Sequence, residues 1–240
     1  MSIWIFKPGL LAAPLLLVLA GCAAAPSVGM ASFGISRNAP KSVAVADKSI
    51  VIAGPPGYCI DRAGSRLNGG SAFVLLASCA SISRKADAAA PSSPGILTAS
   101  VARAASPGPS LGASLSTLEA FVASSAGRAA LARDGRAESV EILDIRREAG
   151  ALMIRLRDTS QGAMSGMEDV YWRGLSDVNG RLVAVSMLSF SDRPLPKEAG
   201  LATLWAFLTR IRAESPAQIA QTQAINNPEP RKGLFGALRK

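Results

Sequence analysis

Histidine is absent from all 240 residues of this chain. Imidazole is the commonest general base and a standard zinc ligand, so its absence excludes the Ser-His-Asp triad, the Cys-His pair and the HExxH zinc proteases. Cysteine is scarce too, with three residues and no CxxC spacing, which argues against a zinc site and a redox pair. We therefore expect no metal and no cofactor, and any enzyme would have to use Asp, Glu, Lys, Tyr or Ser.

The N-terminus has the three parts of a secretory signal. Lys7 is its only charge, an apolar stretch runs from position 8 to position 20, and small residues follow. We interpret residues 1–21 as a signal peptide. This interpretation places the rest of the chain in an oxidising compartment outside the cytoplasm.

The segment Leu19-Ala20-Gly21-Cys22 directly follows the apolar stretch and resembles the lipobox of bacterial lipoproteins. The resemblance implies that a diacylglyceryl group is attached to the sulfur of Cys22 and that the chain is cut before this residue. Two or three acyl chains hold a protein stably at a membrane. Because Ala23 and not aspartate follows the cysteine, the resemblance favours the outer membrane, with the protein facing the periplasm. The alternative is a signal without lipid or an uncleaved membrane span.

Basic residues outnumber acidic residues, 26 against 17, which gives a formal net charge of +9. A basic exported protein favours contact with anionic surfaces, which in a cell envelope are lipid head groups and acidic polymers. As partners we expect the membrane, through the lipid anchor, and either anionic envelope components or another envelope protein. Nucleic acid is not an expected partner, because an exported protein seldom meets it.

Composition divides the mature chain into three segments. Residues 22–47 hold the lipidated cysteine and a tether rich in Ala, Ser, Pro and Gly, which buries too little to order itself. Residues 48–214 carry the periodic apolar patterns and are expected to form one compact domain, followed by a basic flexible tail at 215–240. Two alternatives remain: Phe33 and Ile35 add a strand to the domain edge, or the final RKGLFGALRK forms an amphipathic helix on a membrane surface.

Short strands precede and follow the first of two helices within the domain. The expected strands lie at 49–53, 58–60, 71–81, 96–101, 140–145, 152–156, 170–177 and 181–190. One helix is expected at 116–133, and a second begins near Pro196 and ends before Pro216. This order predicts an α+β fold with a mainly antiparallel sheet covered by two helices.

Local signals support several of these boundaries. Asn179-Gly180 between two apolar runs predicts a hairpin, because its type I′ turn needs positive φ at both residues. Ser116 followed by Glu119 is typical of a capping box at a helix start. Gly54-Pro55-Pro56-Gly57 is interpreted as a rigid turn, since two prolines remove the amides that a phosphate loop needs. The second helix has one apolar stripe, formed by Leu201, Leu204, Trp205, Leu208 and Ile211.

Cys59 and Cys79 are the two cysteines that remain besides Cys22. In an exported protein, paired cysteines usually bond. Each lies in or beside an expected strand, so neighbouring strands can bring them together. We expect a disulfide between them, and the alternative is two buried free thiols.

Tyr171-Trp172-Arg173 is the candidate binding segment, because an exposed strand with this composition could stack on a sugar or peptide. The alternative is cross-strand packing. We expect a membrane-anchored, non-enzymatic envelope protein that acts as a binding or structural module. The alternative is a lipid-anchored hydrolase that acts on envelope polymers through carboxylates, although no catalytic residue stands out. A pocket with two converging acids would favour the hydrolase, and a flat or grooved sheet face would favour binding.

Overall fold

An antiparallel sheet of seven strands organises the part of the chain that the computed structural model describes, which is residues 39–67, 71–103, 111–160 and 165–215. These residues belong to one compact unit. The signal peptide, Cys22, most of the expected tether and the tail from position 216 lie outside the described residues. The expected α+β fold with a mainly antiparallel sheet is confirmed.

Nine strands are formed by the described residues. They are β1 Ser42–Val45, β2 Ile50–Ala53, β3 Tyr58–Arg66, β4 Ala72–Ser78, β5 Ile96–Val101, β6 Val140–Glu148, β7 Ala151–Asp158, β8 Val170–Val178 and β9 Arg181–Leu188. The large sheet has the order β3-β4-β5-β9-β8-β7-β6, and β1 and β2 form a separate hairpin. Every pair of neighbouring strands is antiparallel.

Four α-helices complete the described part of the fold. They are α1 Cys79–Ser83, α2 Leu115–Ala123, α3 Ser125–Leu131 and α4 Lys197–Glu214. A short 3-10 turn at Leu111–Ser114 leads into α2. The long helix α4 and the two short helices α2 and α3 cover opposite faces of the sheet.

The larger hydrophobic core lies on what we call the front face, between the sheet and α4 with the β1–β2 hairpin. The helix presents one buried apolar surface, formed by Leu201, Leu204, Phe207, Leu208 and Ile211. These side chains pack on the strand positions Val74, Leu76, Leu97, Val183 and Val185. Phe207 is fully buried, whereas Trp205, which the sequence pattern placed in the stripe, is only half-buried.

The smaller core lies on the opposite, back face, between α2–α3 and the strands β6, β7 and β8. Val122 and Leu131 are the buried apolar side chains of these two helices. They pack in a cluster with the strand residues Leu152, Ile154, Leu156, Tyr171 and Leu175. The back-face layer is therefore thinner and covers fewer strands than the front-face layer.

Two of the expected turns are confirmed by their backbone angles. Asn179 and Gly180 have φ of 53° and 75°, which is the pair of positive values that a type I′ hairpin requires. Gly57 ends the Gly54–Gly57 turn with φ of 86°, and a Cβ there would lie 2.4 Å from the carbonyl carbon of Ala90. Only glycine fits that position without strain.

The domain begins earlier than the sequence indicated. The expected boundary was residue 48, but β1 lies at 42–45 and pairs with β2, and the amide of Ile60 donates a 2.7 Å hydrogen bond to the carbonyl of Pro40. The connection between β1 and β2 places Ala46, Asp47 and Lys48 at positive φ. Because this turn has no glycine or asparagine, no local signal indicated the hairpin.

The expected helix at 116–133 is divided in two. Ser124 leaves the helical conformation with ψ of 165°, and its hydroxyl accepts a 3.1 Å hydrogen bond from the amide of Gly127, which caps α3. The expected capping box is not formed, since α2 begins at Leu115 and Glu119 instead pairs with Arg147 of β6. The predicted strand at 71–81 also ends early, at Ser78, where α1 begins.

Candidate functional site

Neither helical layer covers the whole sheet, and the two layers are offset. α4 and the hairpin cover β3, β4, β5, β9 and β8 on the front face, whereas α2, α3 and the preceding turn contact β6, β7 and β8 on the back face. Two areas of sheet therefore lie outside the layers. One is on the front face over β6 and the end of β7, since Ala151 and Met153 at the start of β7 are buried in the front core. The other is on the back face over β3, β4, β5 and the start of β9, since Ala184 and Leu188 farther along β9 pack with the back core.

The bare area of the back face is apolar, and we call it the open surface. It is formed by alternate residues of β4, β5 and β9, since the other residues of these strands point into the front core. Its members are Phe73, Leu75, Ala77, Ile96, Thr98, Ser100 and Leu182, whereas Ala184 of β9 packs against the back core. Within the described part of the chain, Phe73, Leu75 and Ile96 are half-buried and belong to neither core cluster.

Strand register arranges the open surface in rows. In the middle row, Asp61 of β3 pairs with Leu75, Leu75 with Thr98, Thr98 with Ser186, and Ser186 with Arg173 of β8. The next row runs through Arg66, Phe73, Ser100 and Ala184. Three rows across four strands cover on the order of 300–400 Å² at ordinary strand spacings. Only part of this area is apolar, because Thr98, Ser100 and Ser186 lie in the same rows. Exposed apolar patches on a protein surface are often functional.

The middle row ends in an acid on one side and a base on the other. Asp61 accepts a 3.0 Å hydrogen bond from the amide of Ala63, and it forms no ion pair with any described residue. The guanidinium of Arg173 reaches toward β9, where Nε lies 3.3 Å from the hydroxyl of Ser186, and NH1 donates to the carbonyl of Leu131. Both charges therefore border the open surface.

The bare area of the front face is charged, and we call it the charged surface. Arg146 of β6 bonds both carboxylate oxygens of Glu198, at 3.1 and 2.9 Å, and lies 5.6 Å from the ring centroid of Trp172. Lys197 lies 2.7 Å from the carboxylate of Asp144. The hydrogen bond from Lys197 lowers the pKa of Asp144, and that from Arg146 lowers the pKa of Glu198. Arg146, Lys197, Asp144 and Glu198 therefore neutralise one another.

Tyr171, Trp172 and Arg173 do not form one exposed face, so the predicted stacking surface is wrong. Tyr171 and Trp172 are only 5% and 3% exposed and belong to the back and front cores respectively. Trp172 donates from its indole nitrogen to the carbonyl of Lys197, at 3.0 Å. The aromatics are packing residues, as the cross-strand alternative proposed, and only Arg173 borders the open surface.

The disulfide between Cys59 and Cys79 is confirmed, with Cα atoms 4.8 Å apart. It joins β3 to the start of α1, directly after β4. A cleft of about 510 Å³ beside the bond is lined by one carboxylate, that of Asp87. A cleft of about 380 Å³ beside the Gly54–Gly57 turn is likewise lined by one, that of Glu214. Neither cleft has the two converging acids of an acid–base hydrolase.

A network at the end of α3 brings two acids near each other through Ser160. The buried carboxylate of Asp158 accepts from Arg133 Nε and from the amide of Ser160, both at 2.9 Å. Burial raises the pKa of Asp158, but hydrogen bonds from Ser160 and the charge of Arg133 outweigh it, so the pKa is lowered. A hydrogen bond from Ser139 lowers the pKa of Asp134. Both acids are held ionised, which does not suit a proton donor.

The sequence had one signal for the open surface. The run Ser71–Ser81 is continuously apolar, which is consistent with a buried strand, and its alternate positions Phe73, Leu75 and Ala77 are all apolar. Within the described residues, the front side of this strand is buried in the front core, whereas the back side is half-buried and belongs to neither core cluster. Because this strand has apolar residues on both sides, its sequence indicated a second packing partner. The described residues do not supply that partner.

No group of three or more potential metal-ligating side chains occurs among the described residues. In the same part of the chain, no helix has the length and apolar character needed to cross a membrane. Comparisons with protein-family models, with curated proteins and with solved structures found no match for the chain.

Proposed function

We propose that this protein is a lipid-anchored envelope lipoprotein that acts as a non-enzymatic binding module, with the open surface as its docking site. The observation that carries the proposal is the half-buried apolar face of β4 and β5, which neither helical layer of the described residues covers. Water contact with this surface is unfavourable at about 25 cal/mol per Å² of apolar area, so covering it with a partner releases free energy.

The anchoring half of the proposal rests on the N-terminal sequence. The lipobox-like Leu19-Ala20-Gly21-Cys22 follows an apolar stretch of signal-peptide length. The tail adds Arg231, Lys232, Arg239 and Lys240, which suit the anionic lipids and polymers of an outer membrane facing the periplasm. The anchor and the basic tail together would hold the domain at the membrane surface.

Four acids of the described residues do not suit the proton-donor role in hydrolysis. Retaining and inverting glycosidases need one carboxyl group that keeps its proton near neutral pH. Asp134, Asp144, Asp158 and Glu198 have a lowered pKa instead, each through hydrogen bonds from neighbouring donors. Their contacts are those of charged groups that join strands and helices.

Photo-cross-linking in intact cells tests the docking surface. A photoreactive phenylalanine analogue replaces Phe73 on the open surface, and the same analogue replaces Ala202, which is exposed on α4, as the matched control. We expect cross-linked products from position 73 and not from position 202. The absence of products from position 73, in protein that is normally folded and localised, would contradict a docking role for this surface.

The substitution Cys22→Ala tests the anchor. We expect it to abolish incorporation of labelled palmitate and to leave unprocessed precursor, because the lipid is attached to this sulfur in lipoproteins. Cys59→Ala with Cys79→Ala is the control, since these cysteines are bonded to each other and should not affect labelling. Unchanged labelling of the Cys22→Ala protein would refute the lipoprotein assignment.

A further inference from the structure

We infer that the partner of the open surface is a second copy of this chain, packed back face to back face around a two-fold axis parallel to the strands. This inference rests on the proposed function, since it names the partner of the same docking surface. The axis lies between β4 and β5. It therefore places β4 over β5 of the second copy and β3 over its β9.

Side-chain size is complementary under this symmetry. Rotation about an axis parallel to the strands sets each row opposite the same row of the second copy. It places β4 of one copy over β5 of the other. Leu75 then faces Thr98 of the second copy, and Phe73 faces its Ser100, because the register pairs these residues across β4 and β5. In the third row, Ala77 faces Ile96. Each row thus sets a large side chain against a small one, which is the pattern of interdigitating layers.

Charge is complementary under the same symmetry. The exchange of β3 with β9 places Asp61 over Ser186 of the second copy, since both lie in the middle row. The guanidinium of Arg173 lies at this serine, with Nε 3.3 Å from its hydroxyl. Asp61 therefore faces Arg173 of the second copy, and the two-fold axis produces this ion pair twice. Neither residue has an ionic partner among the described residues of its own chain.

Because α2 and α3 lie to one side of the open surface, they leave room for a dimer with its two-fold axis parallel to the strands. They exclude a dimer with its two-fold axis perpendicular to the strands. Two sheets pack about 10 Å apart, which is also the thickness of a helical layer. With the axis parallel to the strands, the second sheet lies beside α2 and α3 and not on top of them. An axis perpendicular to the strands would place the α2–α3 layers of both copies over each other and would set Asp61 against Asp61.

The size of the surface predicts the strength of the dimer. The open surface supplies on the order of 300–400 Å² per copy, against about 800 Å² per partner in a standard stable interface. The dimer is therefore weak and depends on concentration. Anchoring both copies in one membrane raises their effective concentration and favours association.

A reciprocal exchange of side chains tests the symmetry. The full-length chain and the variants Leu75→Thr, Thr98→Leu and the double exchange are sedimented in mild detergent over rising protein concentration. Each single variant disrupts one kind of facing pair, and the double variant restores a large residue opposite a small one. We expect about a 10-fold weaker dimer for each single variant, equal to about 1.4 kcal/mol, and recovery to within about 3-fold for the double.

Asp61→Arg tests the ion pair without touching the apolar rows. It should also weaken the dimer about 10-fold, whereas Ala202→Asp on the exposed side of α4 should leave it unchanged. Thermal unfolding of each variant shows that the monomer is intact. If the chain remains monomeric up to about 100 μM, or the double exchange does not restore association, the inference is overturned.

The cross-linking experiment at position 73 separates the two proposals. A product with the mass of two chains supports both the docking surface and the dimer. A product with a different protein, from a chain that sediments as a monomer, supports the docking surface and refutes the dimer. The absence of any product refutes both.

Discussion

The open surface and the charged surface are both bare areas of the same sheet, yet they differ in how they meet water. On the charged surface, Arg146 joins Asp144 and Glu198, and the exposed part of the sheet is polar. On the open surface, Phe73, Leu75 and Ile96 lie half-buried outside both core clusters of the described residues. Although neither helical layer covers either surface, only the apolar open surface gains free energy when a partner removes it from water. Only the open surface is therefore a candidate docking site.

The two helical layers that cover the sheet also differ, in the length of their helices and in the apolar surface that they bury. The 18-residue helix α4 buries a continuous apolar side, whereas α2 and α3 have nine and seven residues and are separated at Ser124. A long amphipathic helix gains most of its stability from packing, and short helices gain less. The front layer thus holds the domain together, and the back layer adds a smaller core.

The largest effect is expected from a cavity in the front layer. Leu204 is fully buried and Val122 in the back layer is 2% exposed. Leu204→Ala should lower the free energy of unfolding by about 3–4 kcal/mol, and Val122→Ala by about 1–2 kcal/mol, because fewer methylene groups are removed from a thinner core. Urea unfolding of both variants measures the difference. Equal losses would show that the two layers contribute alike, contrary to this comparison.

The second-largest effect on stability is expected from reduction of the disulfide. The Cys59–Cys79 bond closes a loop of sequence separation 20 and fixes β3, the outer strand of the open surface, to the end of β4. Reduction should lower the free energy of unfolding by about 3 kcal/mol, through the greater freedom of the unfolded chain. Chemical unfolding with and without reductant measures it, on protein carrying Cys22→Ala. Two thiols that react with an alkylating agent in denatured, unreduced protein would refute the bond.

Removal of the buried carboxylate of Asp158, near the end of α3, should lower the free energy of unfolding moderately. Asp158→Asn leaves Arg133 without its partner and should cost about 2 kcal/mol at neutral pH. The pKa of Asp158 is lower in the folded protein than in the unfolded chain. Its contribution is therefore complete above about pH 4 and is lost as the pH falls through the folded pKa. Between pH 7 and pH 2 the original protein should lose more stability than Asp158→Asn, because the other acids with a lowered pKa, Asp134, Asp144 and Glu198, add the same loss to both.

The smallest effect is expected on the charged surface. Arg146→Ala removes the pairs with Asp144 and Glu198, in which the arginine side chain is 37% and the glutamate 67% exposed. Exposed pairs contribute little, so the midpoint of urea unfolding should shift least of all these variants, and less in high salt. A shift as large as that of Asp158→Asn that persists in 1 M salt would mean that these pairs are not simply exposed to solvent.

Local chemistry explains which parts of the fold the sequence predicted. The hairpin at Asn179-Gly180 needs two residues that tolerate positive φ, and both are present. The hairpin between β1 and β2 was missed because Ala46 and Lys48, on either side of Asp47, adopt positive φ although residues of their types rarely do. The division at Ser124 was missed because its serine fits both a helix interior and a cap, and the contact with Gly127 selects the cap.

By itself, the sequence determined the strand and helix pattern, the α+β class and the two cysteines available to bond, since these depend on periodicity and composition. It placed Phe73, Leu75 and Ala77 on one side of a strand, but it could not tell whether a layer covers them. It also suggested an exposed aromatic segment at 171–173, which the structure buries between two layers. Whether a helical layer covers a given strand depends on how far α4 and the α2–α3 pair are offset across the sheet. That offset is set by packing between residues far apart in the chain. Only the tertiary structure therefore decided that β4 and β5 have an apolar face that neither layer of the described residues covers.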